Sequence, residues 1–265
     1  MGWVLEELHW TIVHPILIKL SNNKPNEQIT IGVTTFMDRF NNCLKPLIKK
    51  LVALFPNQQI VIIANGHVKQ EDQKKYLDRI TKFLEKFPNV ELVALMEPRG
   101  LSHLWNSILG ISKNSKVLLL NDDIRIKIGF PKFIYFSGIF DQEIATINSS
   151  WSHFLISKKI FQAVGPFDEG LKEIGGEDDD YAARLALKGI KMEDFSTQSI
   201  AGKLRRKKRL VRCNSYGKDM NIEPYGYSSV NSKYLADKWE SSMEYFDGAV
   251  LVPTRSKHYW KLRLK

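Results

Sequence analysis

The chain has 265 residues, of which 43% are hydrophobic and 26% are charged. It is therefore long enough to bury one large core, and its composition excludes a wholly disordered chain. The two cysteines, Cys43 and Cys213, exclude a disulfide framework and favour a reducing compartment. The net charge of +10 is concentrated in Lys203–Arg212, which holds seven basic residues and no acidic one.

The basic run could contact a phosphorylated ligand, anionic lipid or nucleic acid, with a solvated surface as the alternative. It has no interleaved aromatic residues and no nucleic-acid-binding module, which argues against a nucleic-acid partner. No apolar run is long enough for a transmembrane helix. Residues 1–28 lack the basic start of a signal peptide, and we interpret them as an extension that docks on the main domain. We expect a cytoplasmic protein, with peripheral contact at the inner face of a membrane as the alternative.

Apolar and β-branched segments alternate with amphipathic ones from Ile29 onward, which predicts βαβ units and a mainly parallel sheet. After Pro131 the pattern is less regular, but a helix is expected after Gly176, ending before Gly189. The other predicted strands are Ile29–Thr35, Ile60–Ala64, Val90–Leu95, Val117–Leu120, one within Glu143–Trp151 and Phe154–Ser157, and the other predicted helices are Asn41 or Asn42 to Phe55, Lys69–Phe87 and Leu101–Ile111.

Polar residues follow each of the first four strands, at the sheet edge where ligands of such folds bind. They include Thr34-Thr35, Asn65-Gly66, Arg99-Gly100 and Asn121–Asp123. No Gly-x-Gly-x-x-Gly loop or P-loop follows a strand, which disfavours dinucleotide and P-loop sites. The negative charge of a phosphate ligand would then have to be balanced by another group, such as a divalent cation bound at the acidic strand end. An acidic turn is the alternative interpretation of Asn121–Asp123.

A second acidic cluster, Glu177–Asp180, follows Gly175-Gly176 at the start of the predicted helix. A helix dipole favours one or two acidic residues there by about 0.3–1 kcal/mol each. Four consecutive acidic residues are more than the dipole alone explains. A carboxylate in a cleft beside another carboxylate has a raised pKa, as a general base requires. The dipole explanation stays open, above all for Asp179 and Asp180.

In their order, these segments resemble the inverting family 2 of the GT-A glycosyltransferases over roughly Ile29–Lys238. Gly165–Glu169 is similar to the family's Gly-Gly-Phe-Asp-Glu segment, and Gly176–Asp180 to its Gly-Glu-Asp-x-Asp segment. Asn121-Asp122-Asp123 falls on the family's Asp-x-Asp motif, with Asn121 in the first acidic place. Ala64-Asn65-Gly66 stands where many members have Asp-Asp-Gly.

The resemblance implies an α/β GT-A fold, a Rossmann-like and mainly parallel sheet flanked by helices. A nucleotide-sugar-binding half would span 29–130, a less regular acceptor-binding and catalytic half of the same domain 131–240, and a tail 241–265. The implied activity is metal-dependent inverting transfer of a sugar from a nucleotide-diphosphate donor, a UDP-sugar, to a hydroxyl of a glycan or glycolipid acceptor in surface polysaccharide synthesis.

The resemblance also implies roles for individual residues. Asp178 would be the catalytic base, and Asp123 would bind Mn²⁺ or Mg²⁺. Glu177 would contact the acceptor, and Trp151 is a candidate platform for a sugar ring, with an ordinary core position as the alternative. The residues expected to contact the donor are Thr35, Arg39, Asn65, Arg99, Asn121 and Asp122.

Two other functions stay open. A sugar-nucleotide nucleotidyltransferase should carry a glycine-rich loop after the first strand, and Gly32–Thr35 does not supply one. A non-catalytic carbohydrate- or nucleic-acid-binding protein would use the acidic residues structurally and Lys203–Arg212 for contact.

Overall fold

A computed structural model describes residues 29–36, 39–127, 130, 133–134, 137–173, 175–196, 210–212, 229–241, 249–253 and 260–264. The extension at 1–28, most of the basic run Lys203–Arg212 and parts of the tail at 241–265 lie outside these ranges. Within the described ranges, no helix is both long and apolar enough to cross a membrane.

The described chain is organised around one seven-stranded sheet with the order β3-β2-β1-β4-β7-β6-β8. The first four strands pair in parallel, β7 is antiparallel to β4 and β6, and β6 and β8 are parallel. The sheet therefore joins both predicted halves of the chain and is mainly parallel, as predicted. Its strands are β1 Ile29–Thr35, β2 Gln59–Ala64, β3 Val90–Ala94, β4 Lys116–Asn121, β6 Ile144–Ile147, β7 Ser150–Ser157 and β8 Glu193–Phe195.

Three helices connect the parallel strands: α1 Lys45–Leu54, α2 Gln70–Leu84 and α3 Leu101–Ile111. A π-helical turn, Phe40–Leu44, leads into α1, so the predicted asparagine cap does not form. The apolar faces of these helices pack on the buried strands, in which every residue of β1 is buried. These contacts form two apolar cores, and polar residues lie at the ends of the strands.

The two strands predicted after Pro131 are present. The strand within Glu143–Trp151 is β6, and Phe154–Ser157 belongs to β7, which begins earlier, at Ser150. Between β6 and β7, Asn148 and Ser149 make a two-residue turn with φ values of 56° and 55°. This left-handed conformation suits a tight hairpin between twisted strands. β6 and β7 are its two arms, and the turn is placed at the same sheet edge as the end of β4.

The remaining helices are α4 Lys158–Val164, α5 Glu177–Leu187 and α6 Ser229–Ser241. Gly175 and Gly176, with φ values of 116° and 92°, turn the chain into α5, and Gly189, with a φ of 64°, follows its end. Two small sheets complete the described chain, one of β5 Ile124–Ile126 with β9 Leu210–Arg212 and one of β10 Ala249–Pro253 with β11 Trp260–Leu264.

Candidate functional site

A cavity of about 220 Å³ opens at the carboxyl ends of β1, β2 and β4. Its wall also includes the β6–β7 turn and the start of α5. Nine of the ten site residues predicted from the sequence line it, and Asp123 does not. The nine are Thr35, Arg39, Asn65, Arg99, Asn121, Asp122, Trp151, Glu177 and Asp178.

Asp122 forms a buried ion pair in this wall. One oxygen accepts a hydrogen bond from Arg39 Nη1 at 2.5 Å and the other from Thr35 Oγ1 at 2.7 Å. The Thr35 hydroxyl also contacts the Tyr76 hydroxyl at 2.6 Å. Burial raises the pKa of Asp122 to about 6, and the charge of Arg39 limits the rise. The carboxylate is thus held in a fixed orientation by a cation and a hydroxyl.

The two residues next to Asp122 in the sequence differ in whether they reach the cavity. Asn121 lines the cavity, and its Oδ1 accepts a hydrogen bond from Thr34 Oγ1 at 3.3 Å. Asp123 is fully buried and lies outside the cavity wall. The metal role predicted for Asp123 therefore stays a prediction, while Asn121 and Asp122 are the members of the motif that reach the cavity.

The same residues decide whether a divalent cation fits. Among the described residues, no three His, Cys, Asp or Glu side chains form a metal-binding group. Each oxygen of Asp122 keeps lone-pair capacity beside its hydrogen bond, and Asn121 adds an amide oxygen. Such a partial set fits Mg²⁺ or Mn²⁺ when substrate phosphates supply further oxygen ligands, which is how Mg²⁺ is commonly bound.

Asn65 joins the end of β2 to the loop after β3. Its Nδ2 donates to the Arg99 carbonyl at 2.9 Å, and its Oδ1 accepts from the backbone N–H groups of Arg99 and Gly66, both at 2.9 Å. The amide therefore fixes the backbone beneath Arg99, whose side chain is half exposed and pairs with Glu97. The predicted donor contacts of Asn65 and Arg99 stay predictions.

Glu177 and Asp178 also line the cavity. Glu177 is 3% exposed, and its two oxygens accept from the Gly175 N–H at 3.0 and 2.9 Å. Burial, followed by the charge of Asp178, raises the pKa of Glu177 to about 8. Asp178 is half-buried and accepts from the Asp179 N–H at 3.1 Å. A carboxyl that stays protonated at neutral pH thus lies next to a carboxyl that faces the cavity.

Trp151 lies at the cavity wall with its ring against three buried aromatic rings. The ring centroids of Phe154, Tyr181 and Phe167 lie 4.8, 6.2 and 6.4 Å from its own. The residue therefore combines a core position with a partly exposed face. Its predicted contact with a sugar ring stays a prediction.

Ser149 and the contacts that hold it were not predicted from the sequence. Ser149 lines the cavity within the strained β6–β7 turn, and Asp194 holds it by accepting from its N–H at 2.6 Å and its hydroxyl at 2.7 Å. Partial burial would raise the pKa of Asp194, but hydrogen bonds from Ser149 and Thr146 hold it below its usual range. The run Asn148-Ser149-Ser150 between two apolar segments was the available turn signal.

Lys172 and Glu173 also line the cavity and were not predicted. They belong to the segment between the GPFDE and GEDDD motifs. Lys172 adds a cation beside the two acidic walls. No spacing or motif in the sequence distinguishes Lys172 from the other lysines, so only the folded chain reveals its position.

Comparison with protein families and solved structures gives partial matches. A family described as the N-terminal domain of galactosyltransferase matches residues 150–208. A comparison with curated protein sequences finds no significant match. A structure of GalNAc-T7 with UDP, GalNAc and Mn²⁺ is similar with a TM-score of 0.51 and 14% identity, over 84% of this chain and 51% of that one. The chain thus spans about half the length of that relative.

Two further structures are similar at lower TM-scores. Residues 1–349 of TarS from S. aureus match with a TM-score of 0.49 and 13% identity, over 65% of this chain and 59% of that one. A mannosyltransferase from Pyrobaculum calidifontis with GDP-Man and Mn²⁺ matches with a TM-score of 0.49 and 13% identity, over 75% of this chain and 69% of that one. The likeness to the GalNAc-T7 structure shows that the chain has the GT-A fold, as its sequence predicted. Residues 150–208 match a galactosyltransferase domain family.

Proposed function

We propose that this protein is a metal-dependent inverting glycosyltransferase that moves a sugar from a nucleoside-diphosphate donor to an acceptor hydroxyl. The observation that carries the proposal is one cavity with Asn121-Asp122 on one wall and Glu177-Asp178 on another. The fold supports it, because ligands of parallel α/β sheets bind at the strand ends that form this cavity. The family match over residues 150–208 adds support, since that segment includes β7 and α5.

The donor would occupy the side of the cavity formed by the parallel strands. Arg39, Arg99 and Lys172 supply positive charge along its wall, which suits a diphosphate. Thr35 and Asn121 offer a hydroxyl and an amide oxygen for ribose or phosphate contacts. We propose a UDP-sugar as the donor.

The acceptor would approach from the side of Glu177, Asp178 and Trp151. Asp178 would accept the proton of the acceptor hydroxyl as its oxygen forms a bond to the anomeric carbon of the donor sugar. The bond from that carbon to the diphosphate would break in the same displacement, with inversion, and the nucleoside diphosphate would leave. Glu177, protonated at neutral pH, would donate a hydrogen bond that orients the acceptor.

A bound Mg²⁺ or Mn²⁺ would stabilise the negative charge of the leaving diphosphate. Asn121 and Asp122 would hold it together with the diphosphate, and Asp123 is the further ligand predicted from the motif. Arg39 would keep Asp122 ionised and oriented, because their charges are paired inside the protein.

A glycan or glycolipid is the acceptor class we propose, with Trp151 as the surface on which an apolar sugar face would pack. Synthesis of a surface polysaccharide, at the inner face of a membrane, is the proposed role. The sugar and the linkage would follow from the donor and acceptor identified by experiment.

The proposal is tested by thermal shift with a panel of nucleotide sugars, each with and without Mn²⁺, followed by a transfer assay on the donors that bind. A productive donor should raise the melting temperature with its concentration, because a ligand that binds only the folded state stabilises it by RT ln(1 + [L]/Kd). It should then release a nucleoside diphosphate when acceptor is added. Stabilisation without release, across all donors and glycan acceptors, would favour the non-catalytic binding protein.

A further inference from the structure

Helix α6 lies against the segment that leads to the candidate base, although it is distant from it in sequence. Four of its side chains make the contacts, namely Asn231, Tyr234, Leu235 and Lys238. Their spacing of three, four and seven residues places them on one face of a helix. One face of α6 is therefore committed to the segment between Asp168 and Asp180.

Asn231 contacts the backbone on the cavity side of this segment. Its Nδ2 donates to the Gly175 carbonyl at 2.9 Å, and its Oδ1 accepts from the Glu173 N–H at 3.4 Å. The side chain is 2% exposed. It thus connects α6 to backbone two residues before Glu177.

Leu235 and Tyr234 pack closely against two glycines of the segment. A Cβ added at Gly176 would lie 2.5 Å from Leu235 Cδ1, and one added at Gly170 would lie 2.3 Å from the Tyr234 hydroxyl. Leu235 also packs in a small apolar cluster with Leu171, Ala183 and Trp239. The close approach of α6 is thus built into the glycine positions of the segment.

Lys238 completes the contact through charge. Its Nζ lies 2.6 Å from a carboxylate oxygen of Asp168 and 2.6 Å from one of Asp180. Asp180 is fully buried and is also paired with Arg184 at 2.9 Å. Partial burial would raise the pKa of Asp168, but the hydrogen bond from Lys238 holds it below its usual range. Lys238 therefore links α6 to the first turn of α5.

The turn before α5 needs such outside support. Gly175 and Gly176 both have positive φ values, and glycine loses more conformational freedom on ordering than any other residue. Neither has a side chain that could pack and hold the turn. Besides the hydrogen bonds from the Gly175 N–H to Glu177, contacts from α6 therefore contribute to its order.

We propose that α6 fixes the position of the Gly175–Asp178 turn, with Asn231 and Lys238 as positioning residues for the candidate base. The inference rests on the proposed function for the role of Asp178, but the ordering of the turn is a separate physical claim. It gives α6 a place in the site although none of the described side chains of α6 lines the cavity.

The test compares Asn231→Ala and Lys238→Met with Lys233→Met, which removes an exposed lysine from the same helix. Hydrogen exchange of the full chain should show at least about 10-fold faster exchange at residues 170–180 in the first two variants and no change in the control. Exchange in β1 and β4 should be unchanged, which establishes that the sheet is intact. Lys238→Arg should restore most of the protection because it keeps the cation.

Where transfer is measurable, kcat should fall about 10- to 100-fold in both variants, because small displacements of a catalytic group are costly. Donor Kd should stay within about 3-fold, since the donor side of the cavity is built by the parallel strands. Unchanged exchange at 170–180, or faster exchange with unchanged kcat, would overturn the inference. If no donor is transferred by the wild-type protein, the proposed function fails while the exchange comparison still decides the role of α6.

Discussion

The two acidic clusters of the cavity look alike in sequence but differ in how their charge is compensated. In Asn121–Asp123, Asp122 is bound by a guanidinium and a hydroxyl. In Glu177–Asp180, Glu177 accepts hydrogen bonds from the backbone N–H of Gly175. Both side chains are almost fully buried, so the difference between them is one of partners and not of exposure.

The partners determine which carboxyl is charged. Burial raises the pKa of Asp122 to about 6 and that of Glu177 to about 8, and Arg39 accounts for the smaller rise at Asp122. At pH 7 the first is mostly ionised and the second mostly protonated. One wall of the cavity therefore keeps a charged acceptor group, and the other offers a neutral donor beside Asp178.

Removing the carboxylate of Asp178 should have the largest effect and tests the role of the second cluster directly. Asp178→Asn should lower kcat for transfer by about 10³-fold, because general-base catalysis contributes about 10²- to 10⁴-fold. Donor Kd should change little, since Asp178 is expected on the acceptor side. Steady-state kinetics and donor titration measure the two effects. Asp179→Asn is the matched control because Asp179 lies outside the cavity wall, and an equal loss in the control would contradict the assignment.

Removing the cation from the first cluster tests the other side of the comparison. Arg39→Met should lower the free energy of unfolding by about 3 kcal/mol, because it leaves Asp122 buried without its counter-charge. Urea unfolding measures the change, and Arg125→Met removes an exposed arginine as the control. The double variant Arg39→Met/Asp122→Asn should recover part of the loss. A single variant as stable as the control would show that the ion pair does not matter for stability.

The first half of the fold could be predicted because its elements depend on local pattern. β1 and α3 have the predicted bounds, and the other early strands and helices differ by a few residues at their ends. The chain around the β6–β7 turn was harder, since Asn148 and Ser149 adopt positive φ without a glycine. Their conformation depends on Asp194, which is distant in sequence.

The residues of the candidate site could be predicted where a motif follows a strand or begins a helix. They were harder to predict where contacts between residues distant in sequence determine their positions. Six of the nine predicted residues that line the cavity lie at or just after the ends of the parallel strands, which meet at one edge of the sheet. Alternation along an ideal strand would place Asn121 with Asp123 and apart from Asp122. The strand β4 ends at Asn121, however, and Asn121 and Asp122 both line the cavity while Asp123 does not. The pairing of Asp122 with Arg39 depends on the π-helical turn after β1, which no sequence pattern indicated.

The protonation of Glu177 can be tested through the pH dependence of stability. Since folding raises its pKa from 4.5 to about 8, the folded state retains this proton while the unfolded state loses it. The stability contributed by the protonated form is complete below about pH 4.5 and is lost as the pH rises through about 8. Glu177→Gln does not titrate there, so it should gain about 2 kcal/mol over the wild type between pH 5 and pH 6.5.

Urea unfolding at a series of pH values measures this gain, with Glu85→Gln as an exposed control. The control should follow the wild type at every pH. If the free energies of unfolding of the wild type and Glu177→Gln changed in parallel with pH, Glu177 would already be ionised in the folded protein. The contrast in charge between Glu177 and Asp122 would then be wrong.

The smallest expected effect concerns Asn121, the neutral member of the first cluster. Because the described residues supply only a partial set of oxygen ligands, Mn²⁺ should bind tightly only when UDP or another nucleoside diphosphate adds its phosphates. Asn121→Asp adds one carboxylate at the cavity wall and should raise the Mn²⁺ affinity of the UDP-loaded protein by about 3- to 10-fold. Asn57→Asp, which adds the same charge at an exposed position, should leave it unchanged. Calorimetric titration distinguishes the cases, and equally tight Mn²⁺ binding without UDP would require a complete protein-built metal site that includes residues beyond Asn121 and Asp122.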